Sequence, residues 1–257
     1  SSFNGDVSTW ETSNSLSFQY TFFAARSFNG DISLWKTGNS LSFRATFYKA
    51  ILFSCDLSAW DTQKSTSFIG TFGYASKFNG DVSTWNTARS TDFRSTFYRA
   101  TSFNGDLSAW NVSKGDNFAK MFYGAVLFNN DISAWDVREA TSFLDMFSYA
   151  SSFNQDVSTW NTVKVIDFSR IFAYATSFDQ DISPWDISAA TSLNEAFKGA
   201  AAFYQSLCWT VKEQTTTESM FDLSSGSLDE HCVACAPGTR RYISIPATFA
   251  IVEYGQT

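Results

Sequence analysis

A phenylalanine returns every 25 residues, at 3, 28, 53, 78, 103, 128, 153, 178 and 203, with no insertion between copies. So strict a period constrains the chain more than its composition does. Each unit is one supersecondary element that must bury its apolar face on its neighbours. Asp follows at 6, 31, 56, 81, 106, 131, 156 and 181, and Trp at 10, 35, 60, 85, 110, 135, 160 and 185. A second Phe row runs through 18, 43, 68, 93, 118, 143 and 168, with Leu193 in the eighth unit. A third runs through 22, 47, 72, 97, 122, 147, 172 and 197, and Ala closes the units from 25 to 200. The ninth unit slips by one residue, so Trp209 and Phe221 take the Trp and third-Phe places and Ser206 takes that of Asp. The 27 Phe and 9 Trp thus read as core, not as a binding strip added to an ordinary fold.

The second half of a unit, for example Phe143, Met146, Phe147 and Ala150, has the spacing i, i+3, i+4, i+7 of one helical face. It is preceded by Ser17, Ser42, Ser67, Asp92, Asn117, Ser142, Asp167 or Ser192, residue types that cap helix N-termini. The spacing predicts a helix of about two turns, too short to stand without its neighbours. The first half, Asp-(Val/Ile/Leu)-Ser-x-Trp, alternates as a short strand does. Pro184 shortens that strand in the eighth unit. Strand plus helix without gaps predicts an α/β solenoid with parallel strands.

Stacked carboxylates repel unless each is hydrogen-bonded. The Asp row therefore reads as a set of turn caps accepting backbone N–H groups, helped by Ser. The alternative is a ladder of calcium sites at Asp6, Asp31, Asp81, Asp106 and Asp131, completed by neighbouring Asn.

The net charge is −7, which argues against a partner bound through nucleic-acid phosphates. No run of 18 apolar residues is present, so no membrane span is expected. Ser1 already lies inside a repeat, so the sequence reads as a mature segment or a fragment, without a signal peptide. Of Cys55, Cys208, Cys232 and Cys235, three lie in the last fifty residues. A disulfide-stapled end of a secreted protein is preferred there over a zinc site built with His231. Cys55, in place of a Gly, is left as free or paired. With one histidine, identical Asp settings and no nucleophile or phosphate motif, no catalytic residues and no cofactor are expected. Asn111-Val112-Ser113 is a glycosylation sequon.

The pattern Phe-Asn-x-Asp-(Val/Ile/Leu)-Ser-x-Trp, then Phe-x-x-(Met/Thr)-Phe-x-x-Ala, resembles the surface-protein repeat of the BspA-like, mycoplasma-type family. Phe128 to Trp160 carries it best, and the resemblance covers residues 1 to about 222. It implies a leucine-rich-repeat-like right-handed coil over 1–222 and a cysteine-containing cap, or the start of a cysteine-rich module, over 223–257. It also implies a Cys208–Cys232 bridge, with Cys235 as the alternative. Such proteins are extracellular surface proteins linked to adhesion, and no catalytic residues carry over.

The expected function is a non-enzymatic extracellular interaction or adhesion module, its partners other surface proteins or itself, with glycans a further option. Tyr20, Arg44, Tyr48, Arg94, Tyr98, Tyr123 and Tyr149 are the candidate face, with Lys49, Arg99 and Lys120 beside them. Singly, each also fits a solvated surface residue. Two alternatives are a structural subunit stacking end to end and a carbohydrate-binding solenoid using ladders of Trp or Thr.

Overall fold

The structure is a computed structural model and describes residues 2–229. The repeat is regular throughout, but the elements differ from those expected. Among the described residues there is no helix. The named strands are β1 (Ser206–Leu207) and β2 (Ser227–Leu228), paired in parallel. Elsewhere consecutive units meet at single parallel bridges, Ser42 to Ser67, Ser67 to Asp92 and so on to Ser192 with Thr216.

The expected helix is a string of tight turns. In the unit from Phe93, Thr96 N–H donates to Phe93 O (3.3 Å), Tyr98 N–H to Ser95 O (3.1 Å) and Ala100 N–H to Phe97 O (3.0 Å). The amides between them point the other way, into the next unit: Phe93 to Asn117 O, Ser95 to Ala119 O, Phe97 to Met121 O and Arg99 to Tyr123 O, at 2.6–3.0 Å. That alternation requires two left-handed residues per unit. They are Ser95 (φ 58°) and Arg99 (φ 54°) here, and Asp145 (φ 56°) and Tyr149 (φ 60°) two units on. Glycine fills such a position at Gly70, Gly124 and Gly199. Elsewhere side chains adopt a conformation costing about 1–2 kcal/mol, held there by the bonds to the next unit.

The spacing misled because a turn string also brings Phe, Phe and Ala to one side. Gly70, Gly73, Gly124 and Gly199 inside the supposed helices were the contrary signal, since each would cost a helix about 1 kcal/mol. The expected N-cap residues cap turns instead. Asp92 Oδ1 accepts Arg94 N–H, Asn117 Oδ1 accepts Ala119 N–H and Asp167 Oδ1 accepts Ser169 N–H, at 2.9–3.0 Å.

The expected strand is also a turn, with Trp85 N–H donating to Val82 O at 3.1 Å. A strand would send Val82 and Trp85 to opposite faces. The turn buries both, at 1% and 2% exposure. The acidic residue before them caps it: Ser83 N–H donates to Asp81 Oδ1 and Ser108 N–H to Asp106 Oδ1, each at 2.8 Å.

The buried rings run in rows from unit to unit. The third-row ring of one unit lies face to face with the first-row ring that opens the next, as in Phe72 with Phe78 (3.8 Å between centroids) and Phe97 with Phe103 (3.9 Å). Between units the first-row rings repeat at 5.8–6.1 Å. Each such ring pair adds about 0.5–1.5 kcal/mol to its area burial. From Trp35 onward each tryptophan also reaches back one unit. The Trp85 indole N–H donates to Leu57 O (3.1 Å) and that of Trp110 to Val82 O (2.9 Å). Buried Thr62 and Thr87 reach forward, donating to Asn86 O and Asn111 O at 3.0 and 2.9 Å.

If Ser95 is left-handed, Ser95→Gly is more stable than Ser95→Ala by about 1 kcal/mol in urea unfolding, because Gly accepts this φ without a Cβ penalty. In a helix the order reverses by a similar amount.

Candidate functional site

Two adjacent positions of each unit place side chains outside the core, just before the closing Ala. The first carries Phe23, Tyr48, Gly73, Tyr98, Tyr123, Ser148, Ala173 and Lys198. The second carries Ala24, Lys49, Tyr74, Arg99, Gly124, Tyr149, Tyr174 and Gly199. In each of the first seven units one ring stands in one or the other, and successive rings touch. Phe23 meets Tyr48 at 5.3 Å, then Tyr74 at 5.5, Tyr98 at 5.1, Tyr123 at 4.8, Tyr149 at 5.4 and Tyr174 at 4.7 Å. Tyr149 is exposed and the other tyrosines of the run are half-buried.

Whenever the ring moves to the second position, the residue before it is small: Gly73, Ser148 or Ala173. At Gly73 the cause is plain, because a Cβ there would meet the Tyr48 ring at 2.5 Å. Tyr174 likewise lies over Gly199, where a Cβ would meet the ring at 2.6 Å.

Two cations sit on the ladder. The Lys49 ammonium lies 5.6 and 5.4 Å from the Tyr48 and Tyr74 rings. The Arg99 guanidinium lies 5.6–5.9 Å from those of Tyr74, Tyr98 and Tyr123. Such placement over an exposed ring contributes about 0.5–1 kcal/mol. Burial, then a hydrogen bond to Tyr74 and its neighbouring charge, push the Tyr98 phenol up to about 12, against a smaller opposing pull from Arg99. Burial and neighbouring tyrosines also raise Tyr48 and Tyr149.

Beside the ladder from Tyr98 to Tyr174 runs an open groove of about 440 Å³. It is also lined by Lys120, Asp145, Arg170, Glu195 and Lys198. Arg170 binds Asp145 through two bonds of 2.8 and 3.0 Å, and Lys198 pairs with Glu195 at 2.5 Å.

Of the residues expected on this face, Tyr48, Tyr98, Tyr123 and Tyr149 join the ladder, with Lys49 and Arg99. Tyr20 meets it at one end, edge-on to Phe23 at 5.7 Å. Arg44 is exposed in the turn before Tyr48. Arg94 stands apart, paired with Asp92 of its own turn at 2.6 Å. Tyr74 and Tyr174 were not among the residues expected on this face, although they hold the same second position as Tyr149. The small-Tyr-Ala triplets at 73–75, 148–150 and 173–175 were the available signal.

The other sequence candidates fall elsewhere. The Asp6, Asp31, Asp81, Asp106 and Asp131 carboxylates each accept the N–H of the Ser two residues on, at 2.8–3.0 Å. Those bonds hold Asp6, Asp31, Asp106 and Asp131 below the usual carboxylate range. Among the described residues no group of three or more His, Cys, Asp or Glu is placed to hold a metal ion. Trp35, Trp60 and Trp85, with Thr37, Thr62 and Thr87, are buried, so these rows present no Trp or Thr ladder to a ligand. Asn111 is exposed, and its Oδ1 accepts Ser113 N–H and Oγ–H at 3.1 and 2.7 Å. Cys55 is a free, half-buried thiol, its pKa raised by burial. Cys208 is half-buried, while Cys232, Cys235 and His231 lie outside the described residues, as does the proposed cap from 230 onward. Among the described residues no helix is long and apolar enough to cross a membrane.

A family described as "Mycoplasma protein of unknown function, DUF285" matches three times, over residues 1–74, 53–154 and 128–230. The chain belongs to that family. No curated protein and no solved structure matches it.

The Tyr98 phenol sets an alkaline limit. Its folded pKa of about 12 lies above the ordinary 10.0, so the neutral phenol is favoured by folding. That contribution is complete below pH 10 and is lost as pH rises from 10 towards about 12. Tyr98→Phe flattens this fall in urea unfolding followed against pH, and removes the late phase of the phenolate absorbance titration.

Proposed function

We propose that this chain is a non-enzymatic extracellular binding module: a BspA-like solenoid of stacked turns presenting the tyrosine ladder to a partner. The observation that carries the reading is the ladder itself. The other aromatic rows run through the core, whereas this one stays at the surface from Phe23 to Tyr174. Tyr and Arg are enriched among the side chains that anchor interfaces, and Tyr offers large amphipathic area at low entropy cost. A row of them repeated once per unit suits an extended ligand. The extracellular placement rests on the BspA-like resemblance, the cysteines near the end of the chain and the exposed sequon at Asn111. A Cys208 bridge to Cys232 or Cys235 belongs to the same reading.

The test of the ladder is the triple variant Tyr98→Ser, Tyr123→Ser, Tyr149→Ser, screened against surface proteins and glycans beside the wild type. The binding reading expects at least one ligand whose affinity falls tenfold or more while the thermal transition stays cooperative. Equal binding by variant and wild type to every ligand found overturns it.

A further inference from the structure

The groove beside Tyr123, Tyr149 and Tyr174 holds two polar groups with no protein partner. Ser148 is fully buried, and its Oγ makes no hydrogen bond although Ser148 lines the groove. Lys120 also lines it and is half-buried, and among the described residues no carboxylate lies within ion-pairing distance of its ammonium. A nearby carboxylate, that of Asp145, is already spent on Arg170 through two bonds. Leaving the buried Ser148 hydroxyl unpaired is costly, while the half-buried Lys120 ammonium keeps its charge available to a ligand.

The groove is also locally cationic. Lys120, Arg170 and Lys198 outnumber Asp145 and Glu195 by three to two, in a chain of net charge −7. Arg99 and Lys49 extend the excess along the ladder, where rings and not carboxylates lie against them. A ligand here needs negative charge for Lys120 and flat apolar faces for the rings.

Backbone chemistry selects further. The amides along the groove are consumed between units: Gly124 N–H on Ser148 O, Tyr149 on Ala173 O and Tyr174 on Lys198 O, at 2.7–2.8 Å. An extended peptide binds a sheet edge through free amides and carbonyls, and the amides of this segment are taken. What remains is ring faces, hydroxyls and a cation. Those are the groups that recognise a sugar ring with an acidic substituent, through stacking on its C–H face, hydrogen bonds to its hydroxyls and a charge on its carboxylate or sulfate.

We propose that this groove binds a linear anionic polysaccharide, with its sugar rings on Tyr123, Tyr149 and Tyr174 and an acidic group on Lys120. The proposal rests on the ladder being a binding face, and adds the ligand class.

The experiment is calorimetric titration of the full chain with oligomers of alginate and of dextran sulfate, with neutral dextran and poly-glutamate as comparators. The proposal expects an anionic oligosaccharide to bind at least tenfold more tightly than neutral dextran and than poly-glutamate, and less tightly as salt rises. Lys120→Gln and Tyr149→Ser each weaken it tenfold or more, Tyr149→Phe restores it, and Lys114→Gln, outside both rows, leaves it unchanged. The conservative ring variant separates loss of stacking from loss of folding. Absence of anionic-glycan binding overturns the proposal. So does equal binding of poly-glutamate, or retained affinity in Lys120→Gln or Tyr149→Ser. If the triple tyrosine variant still loses another ligand, the binding function stands and the ligand class alone falls.

Discussion

The fold depends on how one eight-residue segment divides its amides. In Phe93 to Ala100, alternate N–H groups close turns within the unit, and the rest donate to carbonyls of the following unit. A helix would have turned its later N–H groups back onto its own carbonyls and left each unit to associate mainly through side chains. Here the backbone itself joins one unit to the next. The cost is two left-handed residues per unit, mostly not glycine. That cost is tolerable because the left-handed amides from Tyr20 to Gly199, such as those of Ser95 and Arg99, are donors to the neighbour.

The rows follow from this constraint. Once units are joined by direct backbone bonds, equivalent side chains stack on one another, and a residue type that stacks well is favoured in every copy. Phe stacks through its ring. Trp stacks and also spans, its indole bonding the carbonyl of the aliphatic residue one unit back. Asn79 and Asn104 work outside in the same way, each accepting the amide N–H one unit ahead at 2.8–2.9 Å. At the surface pair of positions the demand is only that two large neighbours not collide, which is why a tyrosine can move one place when glycine, serine or alanine precedes it. That freedom leaves one continuous ring row at the surface and opens the groove over Ser148 and Ala173.

Much of this was legible in the sequence. The period, the burial of the Phe and Trp rows and the use of Asp as a turn cap follow from residues repeating in fixed places. The local backbone was not legible from periodicity, because Phe143, Met146, Phe147 and Ala150 reach the core from a turn string as they would from a helix. Nothing in the types of Ser95, Arg99 or Asp145 announces a positive φ; only the glycines at equivalent places in other units hint at it. The candidate face was half-visible. Tyr48, Tyr98, Tyr123 and Tyr149 stood out, but the row joining them to Tyr74 and Tyr174 depends on an exchange between adjacent positions that a strict 25-residue register hides.

The account thus turns on bonds between units, and these can be observed directly. Through-hydrogen-bond couplings in labelled, deuterated protein connect an amide nitrogen to the carbonyl carbon that accepts it. The account predicts couplings from Phe97 N to Met121 C′ and from Arg99 N to Tyr123 C′, with Tyr98 N coupled to Ser95 C′. Couplings from Phe97 N to Phe93 C′ and from Tyr98 N to Arg94 C′ would mean a helix, and would contradict it.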